Sequence, residues 1–380
     1  MSLHGVRTIA VLELRQRVRT SRWPVAIGIW FLIIGAVAGL TWWAVTSQPG
    51  DPATALASDR GTTLYDVVLF FVLGLGMLVV PSLTATSING DREHGVLATL
   101  QTTLLTPADI VIGKLVAAWA ISIAFLLAAS PFLVWAWIAG GVELGRMLLA
   151  VAVLIFVLAV VCALGLMFST LTARTIGSAV LTYLTVAALT FGTVIAFLIS
   201  MPILATQQTV RVKTVPDAWY QQHQPINPED KMTMPEPTAA DCVFVSREQS
   251  ILHMERTWWM LALNPFVVVA DAAPSRKPVS FLGFEPLQMI SDGVRTARMG
   301  TTPESLNECW PELASSPLTS DGSQQQDRQP QAERDRLNKV HAVWPYGFVF
   351  LGFIGAASTW VAVRRLRTPI RKLPRGTRIA

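Results

Sequence analysis

Charge is what this sequence has least of. Only 14% of its 380 residues are Asp, Glu, Lys or Arg, against about 25% in soluble domains. With 52% hydrophobic residues and a mean hydropathy of +0.47, it cannot cover a water-exposed surface, which disfavours a soluble globular enzyme and a disordered chain. Tyrosine is scarce too, at 4 residues against 13 Trp, and Trp favours membrane–water interfaces. Signatures of chemistry are missing. No G-x-S-x-G elbow occurs, so an exposed nucleophile of that kind is absent. The five histidines are scattered, and no metal site is expected. Gly113-Lys114 is followed by Leu115, and Ala108 stands where a phosphate-binding loop needs its first Gly. The chain therefore has no route of that kind to ATP, and no cofactor of its own is expected. A net charge of +5 argues for nucleic acid only when it is clustered; no nucleic-acid partner is expected.

What the chain has instead is long apolar runs. Crossing a bilayer takes about 20 residues, and six runs qualify: 24–45, 64–84, 110–138, 148–169, 176–198 and 342–363. The first exceeds the roughly 7–15 residues of a signal-peptide core. It also ends near Trp42 and Trp43 rather than at small residues, so it reads as a retained anchor. The expected fold is an all-α membrane protein with six transmembrane helices. An even number puts both termini on one side. That side carries 15 basic residues, including Arg7, Arg15, Arg17, Arg19 and Arg22, against Glu13, Asp91, Glu93 and Asp109. Residues 202–341 hold 13 basic and 17 acidic residues. Positive charge concentrates on cytoplasmic segments, so a multi-pass plasma-membrane protein with cytoplasmic N- and C-termini is expected. The basic tail, 364–380, suits contact with anionic lipid. In 1–23, Ile9, Leu12, Leu14 and Val18 beside arginines suit a helix lying in the cytoplasmic interface; a solvated basic leader is the other reading.

Residues 201–341 form a large extracytoplasmic insertion between the fifth and sixth spans, rich in Gln, Pro, Asp, Glu and Ser. Its one apolar island runs from Trp258 to Asp271 and is broken at Asn264-Pro265. Too short to span, it reads as a re-entrant or interfacial helix near 256–272. The stretch 315–336, with Gln324-Gln325-Gln326, reads as a flexible linker. Cys162 is a packing residue inside a span. Cys242 and Cys309 both fall outside, where oxidation is possible, and the even count there gives one intramolecular pairing, a Cys242–Cys309 disulfide. Asp66 is read as the exception among nearly uncharged spans, an interfacial group in the first turn of the second. A proton- or sodium-coupled carrier is thereby disfavoured, because such carriers place ionisable groups deep in their spans. Gly35-x-x-x-Gly39 permits close helix approach and is a candidate dimer interface, although small residues are frequent in spans in any case.

The connection between the second and third spans is the informative segment. From residue 87 it reads Ser-Ile-Asn-Gly-Asp-Arg-Glu-His-Gly-Val-Leu-Ala-Thr-Leu-Gln-Thr-Thr-Leu-Leu-Thr-Pro-Ala-Asp-Ile-Val-Ile-Gly-Lys-Leu. This resembles the signature of ABC-2 type transporter permeases, in which an acidic–Arg–Glu triplet, a Gly and a Leu-rich short helix precede Thr-Pro and Gly-Lys at the third span. Here Asp91 stands where Glu is more usual. The six-span layout fits the resemblance. The Trp258-Trp259-x-x-x-x-Asn264-Pro265-Phe266 island and the Arg365-Leu366-Arg367-Thr368-Pro369 tail are similar to actinobacterial members.

The resemblance implies a permease subunit of an ATP-binding cassette exporter. Its partners would be ABC ATPase subunits holding ATP and Mg, a second permease chain, identical or homologous, and membrane lipids. A coupling helix is expected over 91–105: Asp91, Arg92 and Glu93 pair with a groove in the ATPase, and Leu97, Leu100 and Leu104, at helical spacing, bury in it. Thr106-Pro107 would end that helix and begin the third span. Without the resemblance the same stretch is an ordinary polar loop. Apolar, uncharged span walls suit amphipathic, lipid-like or drug-like cargo. The competing reading is a non-transporting sensor or scaffold whose extracytoplasmic region binds a ligand or partner; a membrane-embedded enzyme lacks a catalytic cluster.

Overall fold

The computed structural model describes residues 2–20, 22–47, 57–93, 106–223, 237–273, 285–300, 308–309, 337 and 339–367. Its helices, in chain order, are α1 (Leu3–Val18), α2 (Arg22–Thr46), α3 (Ala57–Thr84), α4 (Ser87–Glu93), α5 (Pro107–Ile138), α6 (Leu144–Leu171), α7 (Thr175–Ala187), α8 (Thr193–Ile203), α9 (Asp217–Gln222), α10 (Trp258–Ala262), α11 (Pro265–Ala272), α12 (Pro286–Met299) and α13 (Trp344–Arg367). A π turn, Ala188–Gly192, joins α7 to α8, and two strands, β1 (Thr206–Thr214) and β2 (Val243–Ile251), pair as a hairpin. Among the described residues, six helices are long and apolar enough to cross a membrane. They are α2, α3, α5, α6, the α7–α8 helix and α13, called spans one to six below.

The chain divides into two compact units. The first comprises Met1–Ile195, Met260–Val294 and Ala342–Ala380. Its core is aliphatic: Ile34, Leu64, Leu69, Leu73, Ile121, Leu154 and Leu351 are fully buried. Spans two, three and four are the most enclosed, and spans one and five the least. Outward faces stay apolar, with Leu32, Ile176, Phe191 and Phe353 at least 70% exposed, as expected where the solvent is hydrocarbon. Polar side chains between spans return to backbone carbonyls: Trp119 Nε1 donates to Ile155 O at 2.9 Å, and the Tyr183 hydroxyl, on an exposed face, donates to Leu78 O at 2.9 Å.

The apolar island is a helix–break–helix. Asn264 Oδ1 accepts the Phe266 amide at 2.9 Å, which caps α11. Helix α11 then buries Pro265, Val267, Val268, Val269 and Ala270 against spans four and six. Gly347 of span six admits this approach. A Cβ there would lie 2.3 Å from the Ala262 carbonyl oxygen and from Val268 Cγ2, so only glycine fits.

Two buried acids cap helices at the same end. Asp66, 7% exposed, accepts the amides of Leu287 and Gln288 at 2.9 and 3.2 Å, in the first turn of α12. Asp271, 1% exposed, accepts the Val343 amide and, at 2.8 Å, the Trp344 amide that opens span six. Each carboxylate satisfies helix-start amides from another segment. This corrects the reading of Asp66 as a first-turn residue. Helix α3 begins at Ala57, not near Leu64, so Asp66 lies well inside it. The polar turn before Leu64, with Thr62 and Thr63 buried, is invisible to a hydropathy count.

The second unit comprises Ala196–Trp259 and Arg295–His341. Its hairpin pairs Thr206↔Ile251 through Thr214↔Val243 in antiparallel register. Val210 and Val212 alternate with Arg211 and Lys213, and the valines are buried, as the two-residue period of a strand requires. Cys242, just before β2, is disulfide-bonded to Cys309, as the sequence predicted. The bond fixes residues 308–309 beside β1, where the Glu308 amide donates to Lys213 O at 2.9 Å and the Glu308 carboxylate pairs with Arg247 at 2.9 Å. The insertion thus contains a two-stranded hairpin, which composition alone did not reveal. The linker read over 315–336 lies outside the described residues.

Candidate coupling site

The end of the first unit that carries α1 and the last residues of α13 also holds α4 and the start of span three. Thr106 caps span three through a reciprocal box with Asp109: Thr106 Oγ1 accepts the Asp109 amide at 3.2 Å, and Asp109 Oδ2 accepts the Thr106 amide at 3.0 Å. Asp109 Oδ1 also accepts the Ser2 amide at 2.9 Å, anchoring the start of α1. One turn further on, Gly113 lets α1 lie directly on span three. A Cβ there would sit 2.7 Å from Ile9 Cβ and 3.1 Å from Val6 O. Helix α1 is therefore braced against the bundle through Gly5, Ile9 and Ala10.

Lys114 follows, and it joins three elements. Its side chain is only 2% exposed. Nζ lies 2.8 Å from Asp91 Oδ2 on α4 and 3.1 Å from Glu13 Oε2 on α1. It also donates to Ser87 O at 3.4 Å and Ser87 Oγ at 3.3 Å. Glu13 Oε1 pairs with Arg17 at 3.2 Å, and the Arg17 guanidinium donates to Leu83 O in the last turn of α3 at 2.9 Å. Two carboxylates thus face two cations, the arrangement that makes burial of an ammonium tolerable. Burial pushes the Glu13 carboxyl up, but Lys114 and Arg17 together outweigh it and hold the group below its ordinary value of 4.5.

Helix α4 is held from its other side by span four. Ser169 Oγ accepts the amides of Ile88 and Asn89 at 3.0 and 3.1 Å, and Asn89 Nδ2 donates to Thr172 Oγ1 at 3.0 Å. Gly165 allows the contact, since a Cβ would fall 2.0 Å from Thr84 Oγ1. Beyond this clamp Arg92 is half-buried and Glu93 is exposed.

A family model described as "ABC-2 family transporter protein" matches residues 7–227, more than half of the chain. The chain belongs to the ABC-2 transporter permease family. The matched region runs from α1 through all of the first five spans and the first strand to just beyond α9. No curated protein matches the chain. The permease is accordingly a multi-pass membrane subunit of a transporter, and membership implies association with ABC ATPase subunits.

The remaining predicted residues distribute as follows. Asp91, Arg92 and Glu93 close α4, with Asp91 engaged inside the permease itself. Leu97, Leu100 and Leu104 lie outside the described residues. Of the glycine pair in span one, Gly35 faces Phe132 of span three, where a Cβ would meet the ring at 3.0 Å, while nothing lies within 4 Å of a Cβ at Gly39. Gly35 is therefore used within the chain.

Sequence reasoning missed the cluster of Glu13, Arg17, Ser87 and Lys114, and its statement that Asp66 is the one charge in the spans is corrected by Lys114. A signal was present: a lysine inside an apolar run, with Glu13 the one acid in an otherwise basic leader. An ionisable group within a span calls for a named partner.

Proposed function

We propose that the permease is the transmembrane subunit of an ATP-driven exporter and takes its force through α4 from ATPase subunits that hold ATP and Mg. The observation that carries this is the buried Lys114 cluster, which makes α1, α4 and span three one mechanical body at the end where the family signature lies. Arg92 and Glu93 then face the ATPase groove. Leu97, Leu100 and Leu104 bury in that groove as the next turns of a coupling helix over 91–105. The end carrying both termini is the cytoplasmic one, as its excess of arginine indicates, which puts the disulfide-bonded unit outside. Two permease chains, identical or homologous, enclose the path, and Gly39 is available to their contact. Their apolar walls suit amphipathic, lipid-like or drug-like cargo crossing the plasma membrane.

The test is reconstitution with the ATPase subunit in vesicles. Wild type is expected to show cargo-stimulated hydrolysis, and the isolated permease none. Lys114→Met is expected to keep the ATPase bound while losing most of the stimulation, because α4 is then cut from span three. Full stimulation in that variant would contradict the proposal.

A further inference from the structure

Span five changes its winding half-way. From Ala188 to Gly192 its turns widen to π geometry, and the Thr193 amide donates to Ala188 O, five residues back. One residue is thereby accommodated in excess of α register. π geometry is rare, occurs mostly as such single-turn bulges inside α-helices and is frequent at functional sites. A side chain from another segment, Asn264, reaches this one. Its side chain is 3% exposed, and Nδ2 donates to Thr190 O at 2.6 Å and to Thr193 Oγ1 at 3.1 Å. Both acceptors lie in or next to the widened turn. The Thr190 and Thr193 hydroxyls themselves donate back to Val186 O at 3.0 Å and Leu189 O at 2.9 Å, so the turn is lined by hydroxyls that can exchange carbonyl partners. The same Asn264 caps α11 through its Oδ1. One buried side chain therefore ties the break between α10 and α11 to the break in the winding of span five.

We propose that span five is a two-register element: Asn264 holds the π turn, and withdrawal of Asn264 by movement of the α10–α11 break lets the turn relax to α winding. Absorbing one residue into α register turns the following part of the helix, 193–203, by about 100° about its axis and shifts it by about 1.5 Å along it. Each slot on that part is then taken by the preceding residue. Two neighbouring packings with distinct hydrogen bonds are what a bistable switch needs. Asn264 is a positioning residue in this scheme, and the inference concerns the winding of span five independently of cargo or ATPase.

The exposure pattern of α8 reads the register directly. Phe197 is 5% exposed and its neighbour Ala196 is exposed; after the change Ala196 takes the buried slot. Single cysteines at 196 and 197, in a Cys162→Ala background in lipid nanodiscs, are spin-labelled, and relaxation of each label by oxygen dissolved in the bilayer is read with and without Asn264→Ser, because the exposed face of a span meets hydrocarbon. Serine retains a hydroxyl to cap α11 but is too short to reach Thr190. The expected result is reversal: in the wild-type register the label at 196 is relaxed at least about twofold more than the label at 197, and with Asn264→Ser the order inverts. Thr193→Val, which removes one acceptor and leaves the cap untouched, is expected to shift the ratio in the same direction by less. Faster amide exchange over 188–193 is expected in both variants. An unchanged order of oxygen relaxation in folded Asn264→Ser would overturn the proposal.

Discussion

Lys114 is an ammonium held out of water by Glu13 and Asp91, and its removal leaves two carboxylates facing each other across the vacated position. Breaking a buried charge cluster by deleting one partner costs more than the cluster contributes, on the order of 3 kcal/mol. Lys114→Met should therefore lower the melting temperature of the purified permease. Adding Asp91→Asn should recover most of that loss, since Glu13 then remains paired with Arg17 and no carboxylate is left without a cation. Glu13 gives the pH dependence. Its carboxyl is held below 4.5 by Lys114 and Arg17 against the effect of burial, so its contribution is complete above that value and disappears as pH falls through the lower folded value. The Glu13 contribution to thermal stability should not change with pH from neutral down to about 4.5 and should fall below it, and Glu13→Gln should remove that acid-side fall. A melting curve of Glu13→Gln with the same acid-side fall as wild type would contradict this assignment.

Among the elements, close approaches fix the arrangement more tightly than apolar contact does. A methyl at Gly347 would collide with the Ala262 carbonyl and Val268, whereas one at Gly39 would meet no atom within 4 Å among the described residues. Gly347→Ala should lower the monodisperse folded fraction severalfold, and Gly39→Ala should leave it unchanged when both are run by size exclusion. Span centres and the start of span three at Thr106-Pro107 were legible in the sequence, because hydropathy and a proline at a first helical turn are local signals. Span edges were less so. The sixth span continues to Arg367, since long arginine stems can carry their charge out of the apolar layer while the backbone stays helical. Partnered polar groups were not legible at all. Asp66, Asp271, Asn264 and Lys114 meet partners 20 to 222 residues away in sequence, and no local pattern encodes such pairings. The hairpin had a local pattern in Thr-Val-Arg-Val-Lys-Thr, but it lay in a region read by composition.

At the scale of the whole molecule, the proposed orientation has residues 201–341 extracytoplasmic and the N- and C-terminal segments cytoplasmic. Cys242 and Cys309, 67 positions apart, close a loop long enough to restrain the unfolded chain by about 4 kcal/mol on entropic grounds. A membrane-impermeant thiol reagent applied to intact cells should label neither until a reductant is added. Labelling without reductant would remove the bond, and failure to label after reduction would place that segment on the inner side. The central claim is that force enters at the end of α4, and Arg92→Ala and Glu93→Ala test it most directly. Both residues lie beyond the Lys114 clamp, so the variants should insert and fold as wild type does. The measurement is pull-down of the ATPase subunit together with cargo-stimulated hydrolysis at equal membrane expression. Loss of charged contacts at a partly buried interface typically costs about 2–5 kcal/mol, so the predicted result is reduced ATPase capture or hydrolysis no longer stimulated by cargo. Wild-type values in both assays for both variants would contradict the claim.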